Sequence, residues 1–319
     1  MFDYIKTPYS KKLDELIEAF PSSAKLSDEL GVSRQSLVNW RDKDFDETKI
    51  KEENRLKIDI IYCKTFGFER ISAEEIDLLY KELNDIDFSY FQLDEEDLVA
   101  TVSRFNAFGS LEIEESNITQ KQFNSVVIDK EMIKDIEQRE FFSIKNHAAL
   151  NHKVIKEALR CKNTKDCTFT IDTREIKNYH FGLMNGIRED AGEYSTKIRI
   201  IPGSEELTLT DPRDIAEELE YWVKKYPYTK MTLRDMAEAH AHFELIHPFG
   251  DGNGRVGRII MALHAIFASY IPPLINKSNK ALYYVFLKHA QITNEYSYLA
   301  YFIGKSIIAM NKKFNRKKG

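Results

Sequence analysis

Helix-interrupting residues are scarce in this chain and concentrated in one place. Its 319 residues include 13 glycines and 8 prolines. Four of those glycines fall between His247 and Arg258. Elsewhere most periodic stretches fit a repeat of 3.6 better than one of 2. The expected fold is therefore mainly α, a helical bundle with one small β element. No internal repeat or low-complexity linker divides it.

The glycine-rich exception reads His247-Pro248-Phe249-Gly250-Asp251-Gly252-Asn253-Gly254-Arg255-Val256-Gly257-Arg258. Gly250, Gly252 and Gly254 let the backbone turn tightly and approach a ligand without a Cβ in the way. The apolar run Ile259–Leu263 follows at once, so a helix should begin near Asn253. Its free N–H groups and positive dipole end would face the loop, a ready site for phosphate. Arg255 and Arg258 share the face of its first turn. Positive charge is disfavoured at that end of a helix, which points to a polyanion there. Asp251 suits a Mg²⁺ that bridges phosphates. His247, titrating around pH 6.5, suits the acceptance of a hydroxyl proton. Gly252-x-Gly254-x-x-Gly257 mimics a dinucleotide fingerprint, but a helical pattern precedes it and no acidic residue stands between Arg258 and Glu295. Gly304-Lys305-Ser306 resembles the end of a P-loop, yet Leu299 occupies the place of its first glycine.

A net charge of −5 gives no reason for general nucleic-acid affinity. No apolar run approaches the roughly 18 residues of a membrane span, and the start lacks a leader's basic region and apolar core. Cys63, Cys161 and Cys167 read as free thiols of a reducing, cytoplasmic setting, with a Cys161–Cys167 bridge as the less expected alternative. Residues 24–43 have the pattern of a helix-turn-helix. Ser33 caps its second helix, and Arg34, Gln35, Ser36 and Asn39 are presented outward. DNA contact through 24–43 and a protein-docking role both remain open, because acidic and basic residues balance over the first sixty positions. Thr232 is expected to cap a helix that delivers His247 to the loop; His240 and His242 point to different faces of it, so they do not form a metal pair.

The string 247–258 resembles the signature of the Fic family, with every fixed position present. Further likenesses are His180-Phe181-Gly182-Leu183-Met184, the turn Ala191-Gly192-Glu193-Tyr194, and the double-tyrosine stretch Tyr283-Tyr284. The resemblance implies AMP transfer from Mg·ATP to a Ser, Thr or Tyr hydroxyl of a target protein. Gly254, where the phosphorylating branch has Lys, favours that reaction. It further implies His247 as base, Asp251 as metal ligand, and Gly250, Gly252, Asn253, Gly254, Arg255 and Arg258 as phosphate groups. Tyr284 and Gln291 fall at the adenine pocket; Gln291 stands where relatives often have Asn. Lys197-Ile198-Arg199-Ile200 falls at a β-hairpin flap that binds the target by strand addition. Ser195 departs from the family's Arg after the turn.

Ser110-Leu111-Glu112-Ile113-Glu114-Glu115 resembles the family's inhibitory helix, with Glu115 in place of Gly or Asn. The resemblance implies that Glu114 pairs with Arg258 and competes with the ATP γ-phosphate. The expected organisation is a helical region at 1–95 and a Fic domain at 96–319, whose inhibitory helix covers about 106–118. Homodimers are frequent among such relatives. Two other readings stay open: removal of AMP at the same site, and a DNA-binding regulator with a nucleotide-sensing core.

Overall fold

The computed structural model describes residues 5, 7–67, 71–93, 96–114, 117–131, 136–165, 169–201, 203–229 and 231–315. Glu115, Cys167, Pro202, Asp94, Glu95 and the basic tail from 316 lie outside them. The described residues form α-helices and short helical turns without a strand. The first five helices are α1 (Tyr9–Ala19), α2 (Ser23–Leu30), α3 (Arg34–Arg41), α4 (Glu52–Phe66) and α5 (Ala73–Asn84). Then come α6 (Glu96–Ile113), α7 (Gln120–Asn124), α8 (Gln138–Lys162), α9 (Thr173–Met184) and α10 (Ile215–Lys225). The chain ends with α11 (Leu233–Ile246), α12 (Asn253–Phe267), α13 (Lys280–Thr293) and α14 (Ser297–Asn315).

Local chemistry sets these boundaries. The Ser33 hydroxyl accepts from Ser36 N–H at 3.0 Å, and Gly31 at φ 67 turns the chain between α2 and α3. Ser33 thus caps α3, as its position leads one to expect. Thr232 and Asp235 cap α11 reciprocally, with bonds of 3.2 and 2.8 Å. In the N-terminal helices, buried Lys12 donates to Asp59 at 2.7 Å, and Tyr9 bonds the same carboxylate. This pair ties α1 to α4 at positions where either charge alone would be costly.

Helix α11 lies at the centre, against α10, α12, α13 and α14. On its far side α12 meets α8, which also carries α6 and α9. Helices α4 and α5 pack on α13 and α14, and one apolar core takes in residues from both sides of position 95. Residues 106–113, expected to form a short inhibitory helix, are the last turns of the longer α6.

Two expectations need correction. No hairpin forms at 197–201: Ser195 Oγ accepts from Lys197 N–H at 3.2 Å and donates to its carbonyl at 3.0 Å. That local turn takes the groups a ladder would use. The expected alternation survives without a partner strand. Ile198 and Ile200 are 82% and 70% exposed, while Arg199 reaches the carbonyls of Thr210 and Ile246 at 2.5 and 3.1 Å. Second, Cys161 is disulfide-bonded, not a free thiol. It sits in the last turn of α8, where the chain doubles back and Thr164 N–H donates to its carbonyl. Cys63 is free and buried, and burial pushes its thiol up to about 12. No helix among the described residues is long and apolar enough to cross a membrane.

Candidate active site

Helix α11 stops because His247 adopts the left-handed conformation, φ 48, while its N–H still bonds Phe243 O at 3.0 Å. That conformation costs a non-glycine residue ~1–2 kcal/mol. It folds the imidazole back over the last turn, where Nδ1 lies 3.2 Å from the Glu244 carbonyl. A carbonyl only accepts, so Nδ1 carries the proton and Nε2 keeps its lone pair. Burial lowers the His247 pKa to about 4, and the nearby Arg199 adds to this. The ring is therefore neutral at pH 7 and able to take a proton.

The loop that follows is braced on both sides. Phe249 is fully buried and stacks on His180, with ring centroids 3.8 Å apart. His180 Nδ1 accepts from Gly192 N–H at 2.8 Å, so its Nε2 donates to Asp251 O at 3.0 Å. Ser195 N–H donates to Pro248 O at 2.8 Å. The Ala191-Gly192 turn thus serves as the loop's anchor. Asn253 closes the loop from within: its amide donates to Phe249 O and accepts from Phe249 N–H, both at 2.8 Å. The expectation gave Asn253 to phosphate; here its side chain is committed to the backbone and buried.

Gly252 at φ 83 precedes α12, whose first intrahelical bond here runs from Val256 N–H to Gly252 O. The amides of Asn253, Gly254 and Arg255 are thus left at the helix mouth for an anion. Arginines surround that mouth. Arg255 donates to Asp251 at 3.1 Å, Arg139 lies 3.4 Å from the other oxygen of Asp251, and Arg188 forks onto Asp190 beside Gly250. Four guanidiniums, including Arg258, thus stand around one helix N-terminus, an arrangement able to hold an anion. His247 precedes the same loop.

The Fic/DOC family profile matches residues 170–265, which span this whole arrangement from His180 to α12. The chain carries a Fic domain. It is 36% identical over 91 residues to the protein adenylyltransferase Fic of Drosophila persimilis, covering 28% of this chain and 17% of the relative. The protein of the same name from Drosophila virilis is 38% identical over 84 residues, 25% of this chain and 17% of the relative. The matched stretch therefore spans about a sixth of those curated relatives. Among solved structures, a Fic domain containing signaling protein from Bacteroides thetaiotaomicron superposes with TM-score 0.59 at 15% identity, covering 74% of this chain and 94% of that one. Fic-1 from C. elegans does so with TM-score 0.59 at 16% identity, covering 96% and 92%. These likenesses show a shared fold.

Within the Fic domain, Arg258 is taken. Its guanidinium is buried and bonds the Glu114 carboxylate, with further bonds to Ser110 Oγ at 2.8 Å and Ser110 O at 3.2 Å. Burial pushes the Glu114 carboxyl up, but the charges of Arg258 and Arg255 outweigh it and leave it below the usual range. Burial works against the Arg258 charge, yet Glu114 holds it firmly protonated. A Cβ at Gly254 would sit 2.9 Å from Arg258 Nη1 and 3.2 Å from Glu114, so glycine leaves room for the pair.

Asp251 supplies the loop's carboxylate, and its oxygens already face Gly252 N–H, Arg255 and Arg139. Among the described residues no three His, Cys, Asp or Glu side chains gather as a metal cage. One carboxylate beside an anion site fits a Mg²⁺ that arrives with its nucleotide. Tyr284 is 42% exposed on α13, whereas Gln291 is buried with its amide towards Ala241 O at 3.5 Å. His240 is buried and bonded to Tyr283 OH at 2.7 Å, while His242 faces Glu218 at 3.8 Å. Sequence reasoning missed Arg139, Arg188 and Glu244, which carry no motif and join the site only through packing. His180 was noticed solely for its likeness to a family helix.

Proposed function

We propose that this chain is a protein adenylyltransferase restrained by its own Glu114. The observation that carries this is Arg258, the innermost cation at the α12 mouth, held by Glu114 and Ser110. In the working state Mg·ATP would lie with its phosphates on the α12 amides, between Arg255 and Arg258. Mg²⁺ held by Asp251 would supply charge neutralisation on the phosphates. His247 Nε2 takes the proton of a target hydroxyl, and that oxygen attacks the α-phosphorus. The bond to the bridging oxygen breaks and pyrophosphate leaves. Positioning and fixed charge carry most of such a reaction.

The test is incubation of Glu114→Gly with α-labelled ATP and a cell lysate, beside Glu114→Gly/His247→Ala. Label should enter protein in the first and be lost in the second. Equal labelling by both would remove His247 from the base role.

A further inference from the structure

Helix α11 carries a carboxylate that the reaction described above does not use. Glu244 is 5% exposed, and its Oε1 has no hydrogen-bond partner among the described residues. Its Oε2 lies 3.9 Å from His247 Nδ1. Burying a carboxylate without a full set of partners is expensive, so this placement has to be accounted for by what stands around it. From α12, Gly257 presents bare backbone: a Cβ there would come within 2.4 Å of Glu244 Oε1. Helix α12 therefore closes over the carboxylate only because position 257 lacks a side chain.

We propose that Glu244 is a positioning residue for His247, a buried countercharge for the imidazolium that forms when Nε2 accepts the substrate proton. The two halves of Glu244 divide the work. Its backbone carbonyl, 3.2 Å from Nδ1, sets the tautomer. Its carboxylate, behind the same nitrogen, stabilises the charged ring. The pair resembles in logic a carboxylate that orients and supports a catalytic imidazole. This inference rests on the AMP-transfer reading for its kinetic consequence, but not for its structural one.

Other groups face Glu244 from each neighbouring element. His247 and His240 lie on its own helix, Arg258 on α12, Glu114 at the end of α6 and Tyr283 on α13. Burial pushes the Glu244 carboxyl up to about 7; Arg258 works against this and Glu114 reinforces it.

The experiment compares Glu244→Gln with the parent protein, both in the Glu114→Gly background. Gln keeps the shape and removes the charge. Protein labelled with ¹⁵N-histidine gives the His247 ring resonances, assigned by their loss in His247→Ala. Glu244, pushed up to about 7, is protonated where His247 titrates, so its charge is read at higher pH. The expected result is a kcat that rises with pH through about 7 in the parent and is flat and about tenfold lower in Glu244→Gln, with KM for ATP within about twofold and the Nδ1–H tautomer retained. In the parent the His247 ring resonances should also move near pH 7 as Glu244 ionises. That measurement stands even if the Gln variant fails to fold. A kcat above pH 7 equal in both proteins, or His247 resonances without an inflection near pH 7, overturns the proposal. Absence of AMP transfer by every protein would instead overturn the functional reading, and the titration would still decide the role of Glu244.

Discussion

Replacing Glu114 by glycine removes the one carboxylate that holds Arg258, and its consequences run in opposite directions for activity and stability. Breaking a fully buried ion pair costs about 3–5 kcal/mol. Here the Arg258 side chain is 3% exposed but that of Glu114 is 30% exposed. Arg258 also keeps Ser110 Oγ and Ser110 O. A discounted figure of about 1–3 kcal/mol follows. If that energy biases Arg258 away from nucleotide, removing it should raise the competent fraction about fivefold to 150-fold. The same energy is lost from the empty fold, so the melting temperature should fall by about 2–6 °C. ATP should then return more stability to the variant than to the parent, because its γ-phosphate fills the vacated place. Initial rates of AMP incorporation and thermal melts with and without Mg·ATP measure all three. AMP incorporation no faster in Glu114→Gly than in the parent would refute the reasoning, since Arg258 would then not be the contested group.

Two further outcomes follow from packing and burial. Gly257→Ala would place a methyl 2.4 Å from Glu244 Oε1 and 3.1 Å from His240 Cε1, and overpacking of this kind costs about 1–3 kcal/mol. A melting temperature equal to the parent's would contradict the close approach of α12 to α11. The pH dependence is set by buried histidines: His180 and His247 are lowered to about 4, and His240 and His264 to about 3, in each case chiefly by burial. Their folded pKa values lie below the unfolded 6.5, so this stability is present above pH 6.5 and is lost as pH falls towards 4 and below. Glu244, raised to about 7, contributes in the opposite sense and costs stability as pH rises through 7. Urea unfolding should therefore give a lower free energy at pH 5 than at pH 6.5, and equal values would show that these histidines are not buried neutral.

The helical class could be read from periodicity, the helix starts after Ser33 and Thr232 from capping chemistry, because a cap involves residues three positions apart, and the start at Asn253 from the apolar run that follows it. The loop 247–258 was legible for the same reason: its glycines, arginines and base are neighbours in the chain. The alternation at 197–201 was also real, but a strand needs a partner. Ser195 instead captured both backbone groups of Lys197, a competition that hydrophobic pattern does not register. The bonds that the Asn253 amide makes to the Phe249 backbone were visible only in the folded loop.

By itself the sequence determined what is local: where helices begin, where the backbone can approach an anion, and which side chains stand ready to hold one. Ser110 and Glu114 at the right spacing could be noticed by resemblance. The contact they make with Arg258 across 148 and 144 positions required α6 and α12 to meet in the fold. Tertiary structure also decided the electrostatics. Glu244 on an amphipathic helix reads as ordinary, and becomes a buried countercharge only because Gly257 lets a second helix close over it. Burial depends on which surfaces meet, and the energy of a charge depends on burial.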